Sequence, residues 1–277
     1  MDYGYINGYA CSSKEEEEFL KGYDASKYPH PSVTADIVIF TVGEGGLSML
    51  LVKRGGFPYK DRWALPGGFL NTGKESLDQA AVRELKEETG VDAAAMQDDG
   101  LMLRQVHVFS EPFRDPRTTV ISVAYSALVP MSMLKIKAGD DAADARLFRV
   151  GIRESKDLGG KYQILLSDPE TGLLIPEEDL AFDHGLIIRT ALDDLRSRIE
   201  NGDDALYLLR DRNNFTISEL LSIVEAVSGK DLDHPNFRKR FLKRYVETGY
   251  IKETGEVLVS RGKPARLYRM AGKDKEE

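Results

Sequence analysis

The chain has 277 residues, 42% of them hydrophobic and 30% charged, enough for one large domain or two modest ones with separate cores. A single cysteine, Cys11, excludes a disulfide framework and a thiolate zinc site, and His30, His107, His184 and His234 show no metal-ligand spacing. No apolar run approaches the ~20 residues of a membrane span, and four glutamates at 15–18 stand where a signal peptide needs an apolar core, so a cytoplasmic protein with no membrane partner is expected. The net charge of −8 is unevenly spread. Between Lys230 and Arg269 there are 11 Lys/Arg against 5 Asp/Glu, which leaves 27 against 41 elsewhere. An acidic body with a basic C-terminal segment suggests two domains with different partners.

In chain order, residues 1–32 are rich in charge and tyrosine and read as an N-terminal arm, closed by Pro29 and Pro31. A strand is expected over 33–42, where Ile37, Ile39 and Thr41 alternate, with a hairpin partner at 47–53 across Gly43-Glu44-Gly45-Gly46. A helix over 76–89 is stopped by Gly90. Strands at 103–109 and 119–129 flank a loop at 110–117, and another strand is expected near 146–150. One or two helices over 177–199 close a first domain spanning 33–200, and Asn201-Gly202-Asp203-Asp204 is the candidate linker.

A second domain, 203–270, has a different rhythm. A short helix at 204–210 precedes one at 216–228 whose Thr216-Ile217-Ser218-Glu219 offers a capping box. A third helix, 234–248, is capped by Asp233 and ended by Gly249, and two short strands bracket Ser260-Arg261-Gly262-Lys263-Pro264-Ala265. Three helices followed by a basic hairpin spell a winged helix-turn-helix. Residues 271–277 form a charged tail.

The chemistry concentrates on the 76–89 helix. Glu84, Glu87 and Glu88 stand at i, i+3 and i+4 and share one face. Three like charges there repel by a few tenths of a kcal/mol per pair, a cost a divalent cation removes. Hard carboxylate oxygens suit Mg²⁺ or Mn²⁺, which keep open positions for substrate phosphates. Such a metal polarises phosphorus and lowers the pKa of an attacking water. Taken alone, E-x-x-E-E reads as a solvated helix face. Gly67-Gly68 just upstream lets the backbone approach a metal or phosphate closely.

The longer run decides between these readings. Gly67-Gly68-Phe69, Glu75 and Arg83-Glu84-Leu85-Lys86-Glu87-Glu88-Thr89-Gly90-Val91 resemble the Nudix box, G-x5-E-x7-R-E-U-x-E-E-x-G-U with U apolar. Every defined position from Glu75 onward matches, although Gly68 and Glu75 are separated by six residues instead of five. The resemblance implies an α/β Nudix fold, a mixed sheet sandwiched between helices. It also implies that Glu84, Glu87 and Glu88 bind the metal, assisted by the Gly67 carbonyl, and that Arg83 pairs with Glu75.

Arg114-Asp115-Pro116-Arg117, the strand after it, Ala138-Gly139-Asp140-Asp141-Ala142 and Leu180-Ala181-Phe182-Asp183-His184 resemble ADP-ribose pyrophosphatase-like Nudix proteins. Arg114 and Arg117 are candidate diphosphate clamps, because guanidinium pairs bidentately with phosphate; the alternative is a structural turn paired to Asp115. Arg54 and Gly68 join them as candidate substrate contacts. Glu111 is the candidate general base, with an ordinary exposed loop acid as its alternative.

On the 234–248 helix, Phe237, Phe241, Tyr245 and Val246 form a docking stripe, while Arg238, Lys239, Arg240, Lys243 and Arg244 are candidate DNA contacts. Arg261, Lys263 and Arg266 extend them along a wing; a solvated basic face is the alternative. Glu253-Thr254-Gly255-Glu256 and Gly262-Lys263-Pro264-Ala265-Arg266-Leu267-Tyr268-Arg269 resemble the wing of Nudix-related transcriptional regulators of NAD metabolism, and the likeness runs from about 23 to 270. It implies a homodimer on a palindromic double-stranded DNA operator that responds to ADP-ribose. Many members have a degraded box, whereas this chain keeps the acidic set. Three readings follow: a pyrophosphatase fused to a DNA-binding regulator, a catalytically silent ADP-ribose or sugar-metabolite sensor, and an enzyme whose winged helix serves dimerisation or substrate access.

Overall fold

The structure, a computed structural model, describes residues 4–91, 101–136, 142–154, 162–259 and 264–271. It divides into two units, Met1–Pro31 and Ser32–Glu277. In the first, β1 (Tyr5–Ile6) and β2 (Tyr9–Ala10) form a small hairpin ahead of helix α1 (Lys14–Gly22). Ser13 caps α1 by accepting from Glu16 N, and Cys11 is buried. The segment read as an arm thus carries regular structure. Since α1 buries none of its residues, no apolar periodicity marks it in the sequence.

The larger unit opens with the hairpin of β3 (Ser32–Gly43) and β4 (Gly46–Arg54), in the register Phe40 opposite Met49. Short strands β5 (Trp63–Ala64) and β6 (Gly67–Phe69) follow, then helix α2 (Leu77–Thr89). Strands β7 (Met102–Phe109), β8 (Val120–Leu128), β9 (Ala142–Glu154), β10 (Tyr162–Ser167) and β11 (Leu174–Pro176) precede helix α3 (His184–Ile199). They form one mixed sheet in the order β11-β10-β9-β4-β3-β8-β7, with β5 on β4 and β6 on β3. Only β3 and β8 run parallel among its described pairings. Strand β9 extends beyond the expected 146–150, and β10 and β11 add to the expected set.

Alternate residues of β3 enter different cores, as the pleat requires. Ile37 and Ile39 cluster with Ala81 and Leu85 of α2, whereas Val38 and Phe40 cluster with Ile188 and Leu192 of α3. A strand covered on both faces reads as a near-continuous apolar run, and β3 does so from Ile37 to Phe40. Helix α2 carries a complete capping box between Ser76 and Gln79 and ends at Gly90 with φ 68°, a conformation glycine adopts without Cβ strain.

Beyond α3 come a 3-10 turn (Asp204–Leu208), α4 (Ile217–Ser228), α5 (His234–Phe241) and a π turn (Leu242–Val246), then the antiparallel pair β12 (Ile251–Leu258) and β13 (Ala265–Met270). The expected capping box at Thr216 is only half formed. Thr216 Oγ1 accepts from Glu219 N at 3.1 Å, but the Glu219 carboxylate accepts from Arg210 N instead of returning to its own helix. Packing is continuous across this boundary, because Leu206, Leu220, Phe237 and Tyr268 share one cluster with Phe40, Met49 and Leu192. The seam is also polar: Arg196 of α3 donates to the carbonyls of Val227 (3.1 Å) and Ser228 (2.6 Å) at the end of α4. Arg198 pairs with Asp204, and Glu200 with Lys230 at 2.6 Å. Among the described residues, no helix is long and apolar enough to cross a membrane.

Candidate functional site

A cavity of about 1130 Å³ opens between β3, β6, α2 and the segment leading into α3. Its floor depends on two glycines. Gly67, at φ +155°, pairs with Asp36 across β3, where a Cβ would overlap the Ala35 carbonyl and lie 2.6 Å from Asp36 Oδ1. A Cβ on Gly68 would overlap Glu84 Oε1, so any side chain there would displace this carboxylate.

Glu84, Glu87 and Glu88 all line the cavity, with Glu84 and Glu88 buried. Burial pushes the Glu84 carboxyl above its usual range, against the opposing pull of Arg83. Arg83 organises the group. It donates Nε and Nη2 to Glu75 at 3.1 and 2.8 Å and Nη2 to the Phe69 carbonyl at 3.2 Å. Its Nη1 lies 2.5 Å from Glu84 Oε1 and 3.6 Å from Glu87 Oε2. Those bonds from Arg83, with Asn71 N–H, hold the Glu75 carboxyl down at about 2. The extra residue before Glu75 is absorbed by a turn in which Lys74 N donates to Asn71 O at 2.9 Å and Gly73 takes φ +75°. Glu75 therefore still meets Arg83.

The donor set has the chemistry for a hard divalent cation: oxygen-only side chains on one helix face, beside a glycine cradle that a Cβ would fill. Glu84, Glu87 and Glu88 would hold such an ion, and Gly67 lines the same cavity. As arranged, however, Arg83 spans Glu84 and Glu87, and no three acidic, His or Cys side chains among the described residues form a ready cage. A cation at this position would share Glu84 with the guanidinium, which already holds its Oε1.

The substrate candidates separate. Arg117 makes the pairing to Asp115 that stood as the alternative to a clamp, bidentate at 3.0 and 2.7 Å, and its partly exposed guanidinium also lies over the rings of Phe69 (5.6 Å) and Phe182 (5.8 Å). Arg54 lies over the Phe182 ring at 4.9 Å. Both line the cavity, so one aromatic ring is flanked by two guanidinium groups. Arg114 also lines it, but its side chain is 6% exposed and committed to Asp183 through Nε (2.9 Å) and Nη2 (2.5 Å). It anchors the 110–117 loop to the start of α3. Glu111 is exposed and lies outside the cavity lining.

Several cavity residues had no role assigned from the sequence. Asp36 is buried and accepts from Ser122 Oγ and from Thr34 Oγ1 at 3.3 Å. Phe182, at φ +52°, turns the chain so that its ring, the Asp183 carboxylate and the His184 imidazole serve three different partners. A bulky residue held there costs on the order of 1–3 kcal/mol, which the surrounding contacts must offset. The signal was present in Phe182-Asp183-His184, but partners distant in sequence gave those residues their meaning.

In the C-terminal region Phe237, Phe241 and Tyr245 are buried, which fits the expected docking stripe. Arg238, Lys239, Arg240 and Lys243 are exposed. Arg244 donates to Asn201 O and to Asp203 Oδ1 (3.0 Å), and Arg266 Nη1 donates to both carboxylate oxygens of Glu253 at 2.9 and 3.1 Å. These two cations are tied to the protein itself. Arg261 and Lys263 lie outside the described residues.

A glycine-floored carboxylate cavity on a mixed sheet, joined to the 3-10 turn, α4, α5 and a two-stranded wing, defines a Nudix protein with a winged-helix extension. Residues 30–156 match the NUDIX domain and 206–270 the NrtR DNA-binding winged helix domain. The chain is 32% identical over 260 residues to the ADPR responsive transcriptional repressor NtrR of Acinetobacter baylyi, covering 94% of this chain and 90% of that protein. It is 38% identical over 135 residues to an ADP-ribose pyrophosphatase of Methanocaldococcus jannaschii, covering 48% and 72%. The crystal structure of Shewanella oneidensis NrtR complexed with a 27mer DNA superposes with a TM-score of 0.61 at 26% identity, covering 87% of this chain and 94% of that one. The chain belongs to the family of Nudix regulators that carry the NrtR-type winged helix.

Proposed function

We propose that this chain is a cytoplasmic regulator that binds a palindromic DNA operator as a homodimer through its winged helix. Its Nudix cavity binds ADP-ribose and retains Mg²⁺-dependent hydrolysis of it to AMP and ribose 5-phosphate. The observation that carries the reading is the retained acidic set: Glu84, Glu87 and Glu88 line the cavity while Glu75 anchors Arg83. The A. baylyi relative is described as ADPR responsive and the M. jannaschii relative as an ADP-ribose pyrophosphatase, and both descriptions are consistent with it.

The protein's own groups have defined tasks in this reaction. Arg54 and Arg117 flank the Phe182 ring and present cations to the ligand's diphosphate. Glu84, Glu87 and Glu88 would hold a divalent cation, which would supply polarisation of phosphorus and a more acidic attacking water. Water adds to one phosphorus as its bond to the bridging oxygen breaks, and the two phosphates leave as AMP and ribose 5-phosphate.

A second reading, a sensor without turnover, is favoured by the Arg83 guanidinium spanning Glu84 and Glu87. AMP release from ADP-ribose with and without Mg²⁺ separates the two. Metal-dependent release that Glu87→Gln with Glu88→Gln abolishes supports hydrolysis; tight ADP-ribose binding with no AMP makes the cavity a sensor. The DNA reading is tested by Lys239→Ala with Lys243→Ala, two exposed cations, one on α5 and one on the π turn that follows it. Losing two phosphate contacts lowers the log–log salt slope of operator binding by about 2; an unchanged slope rejects this face as the DNA surface.

A further inference from the structure

His184 is the first residue of α3 and lines the cavity, yet only 5% of it is exposed. Its Nδ1 sits 2.8 Å from the backbone N of Leu65. A backbone N–H can only donate, so Nδ1 must be the acceptor, and the ring is the neutral tautomer with its proton on Nε2. That bond is the ring's only hydrogen bond among the described residues. The ring lines the cavity, and Nε2–H has no protein acceptor among the described residues, so this donor is open to water or to a ligand there.

The surroundings fix this donor firmly. The Phe182 ring lies 5.3 Å away, tilted by 35°. The neighbouring Asp183 is bound by Arg114, and the backbone reaches this geometry only through the positive φ of Phe182. Burial also lowers the imidazole's affinity for a second proton, against the charge of Asp36. The ring is unsuited to general-base work, since Nδ1 is occupied and Nε2 already carries its proton. What it offers is a rigid, uncharged donor in a cavity whose lining also carries the carboxylates of Asp36, Glu84, Glu87 and Glu88 and the guanidinium groups of Arg54 and Arg117.

We propose that His184 is a ligand-contacting residue whose Nε2–H donates to an oxygen of the bound nucleoside diphosphate sugar, either of its diphosphate or of the adjoining ribose. This rests on the reading of the cavity as an ADP-ribose site. It adds a recognition contact that depends neither on the metal glutamates nor on the arginines. Because the donor is neutral, it selects for a correctly placed acceptor oxygen rather than for negative charge in general. A site left with an unpaired polar group discriminates strongly against the wrong ligand.

Two substitutions divide the two ends of the ring. In His184→Asn the side-chain oxygen can still accept from Leu65 N, but nothing reaches the Nε2 position. In His184→Gln an amide N–H reaches that position, and the acceptor for Leu65 is lost. ADP-ribose affinity measured by calorimetry, with melting temperature alongside, is expected to fall about tenfold or more in His184→Asn at nearly unchanged melting temperature. His184→Gln is expected to recover part of the affinity while melting lower. The wild type provides a check that needs no variant: in ¹H–¹⁵N spectra of the imidazole, ADP-ribose should shift Nε2–H. An Nε2–H resonance unmoved at saturating ADP-ribose overturns the proposal, as does wild-type affinity in His184→Asn. A wild type that binds no ADP-ribose overturns the ligand assignment itself, and this contact with it.

Discussion

Arg114 offers a direct test of geometry against sequence pattern. Its position in the Arg114-Asp115-Pro116-Arg117 loop makes it a natural phosphate clamp, but its guanidinium is 6% exposed and bidentate to Asp183. Removing one member of a buried pair costs about 3–5 kcal/mol, because the other charge is stranded. Asp183 keeps 23% exposure and recovers some hydration, so the low end, about 3 kcal/mol, applies to Arg114→Ala. For a domain of this size that lowers the melting temperature by about 6–12 °C. Replacing both members with apolar residues, Arg114→Met with Asp183→Leu, removes the stranded charge and should regain most of the loss. Differential scanning calorimetry reads the stability, and ADP-ribose titration at a temperature where each variant is folded reads the affinity. If Arg114→Ala melts within 2 °C of the wild type and binds ADP-ribose much more weakly, Arg114 is a ligand clamp and the structural assignment is wrong.

Two further outcomes are expected. Gly67→Ala places a methyl group against backbone atoms of Ala35 and Asp36 and should destabilise by about 2–4 kcal/mol; Gly68→Ala meets only the end of the Glu84 side chain and should keep stability while depressing Mg²⁺-dependent AMP release at least tenfold, an ordering that equal melting losses would contradict. Glu75 has a folded pKa of about 2 against about 4.3 unfolded, so its stabilising contribution is full above pH 5 and is lost as pH falls toward 2. The stability gap between wild type and Glu75→Gln in urea titrations should accordingly be constant from pH 5 to 7 and narrow below about 4.5, and a gap that does not change with pH would remove Arg83 as its cause.

What was legible in the sequence was local. The Glu75–Arg83 pair follows from spacing along one loop and helix, and it survived an extra residue because Gly73 allowed a tight turn to absorb it. The docking stripe of Phe237, Phe241 and Tyr245 follows from helical period. What escaped depends on partners far apart in the chain. Asp183 lies 69 residues from Arg114, and Ser122 lies 86 from Asp36. Residue type alone cannot say which of two neighbouring arginines finds a distant carboxylate and which stays on the cavity rim. The hairpin of β10 and β11 was a different kind of omission. Its turn, Asp168-Pro169-Glu170-Thr171-Gly172, carries ordinary turn chemistry, with Asp168 accepting from Glu170 N and Thr171 Oγ1.

Helix α3 begins at the cavity with His184 and delivers Arg196 and Arg198 to the winged helix near its other end. Its 16 residues span about 24 Å at ~1.5 Å per residue, and both ends are pinned by buried contacts. Such a rod has a quantised length. One inserted residue would rotate everything beyond it by about 100° and two by about 200°, detaching Arg196 from the end of α4 even with every residue of both sites intact. A tilt of about 5° at the ligand end would, by the same geometry, carry the far end by about 2 Å. The surface turns of this protein can therefore change length freely during divergence, whereas α3 can change its exposed side chains but not its residue count.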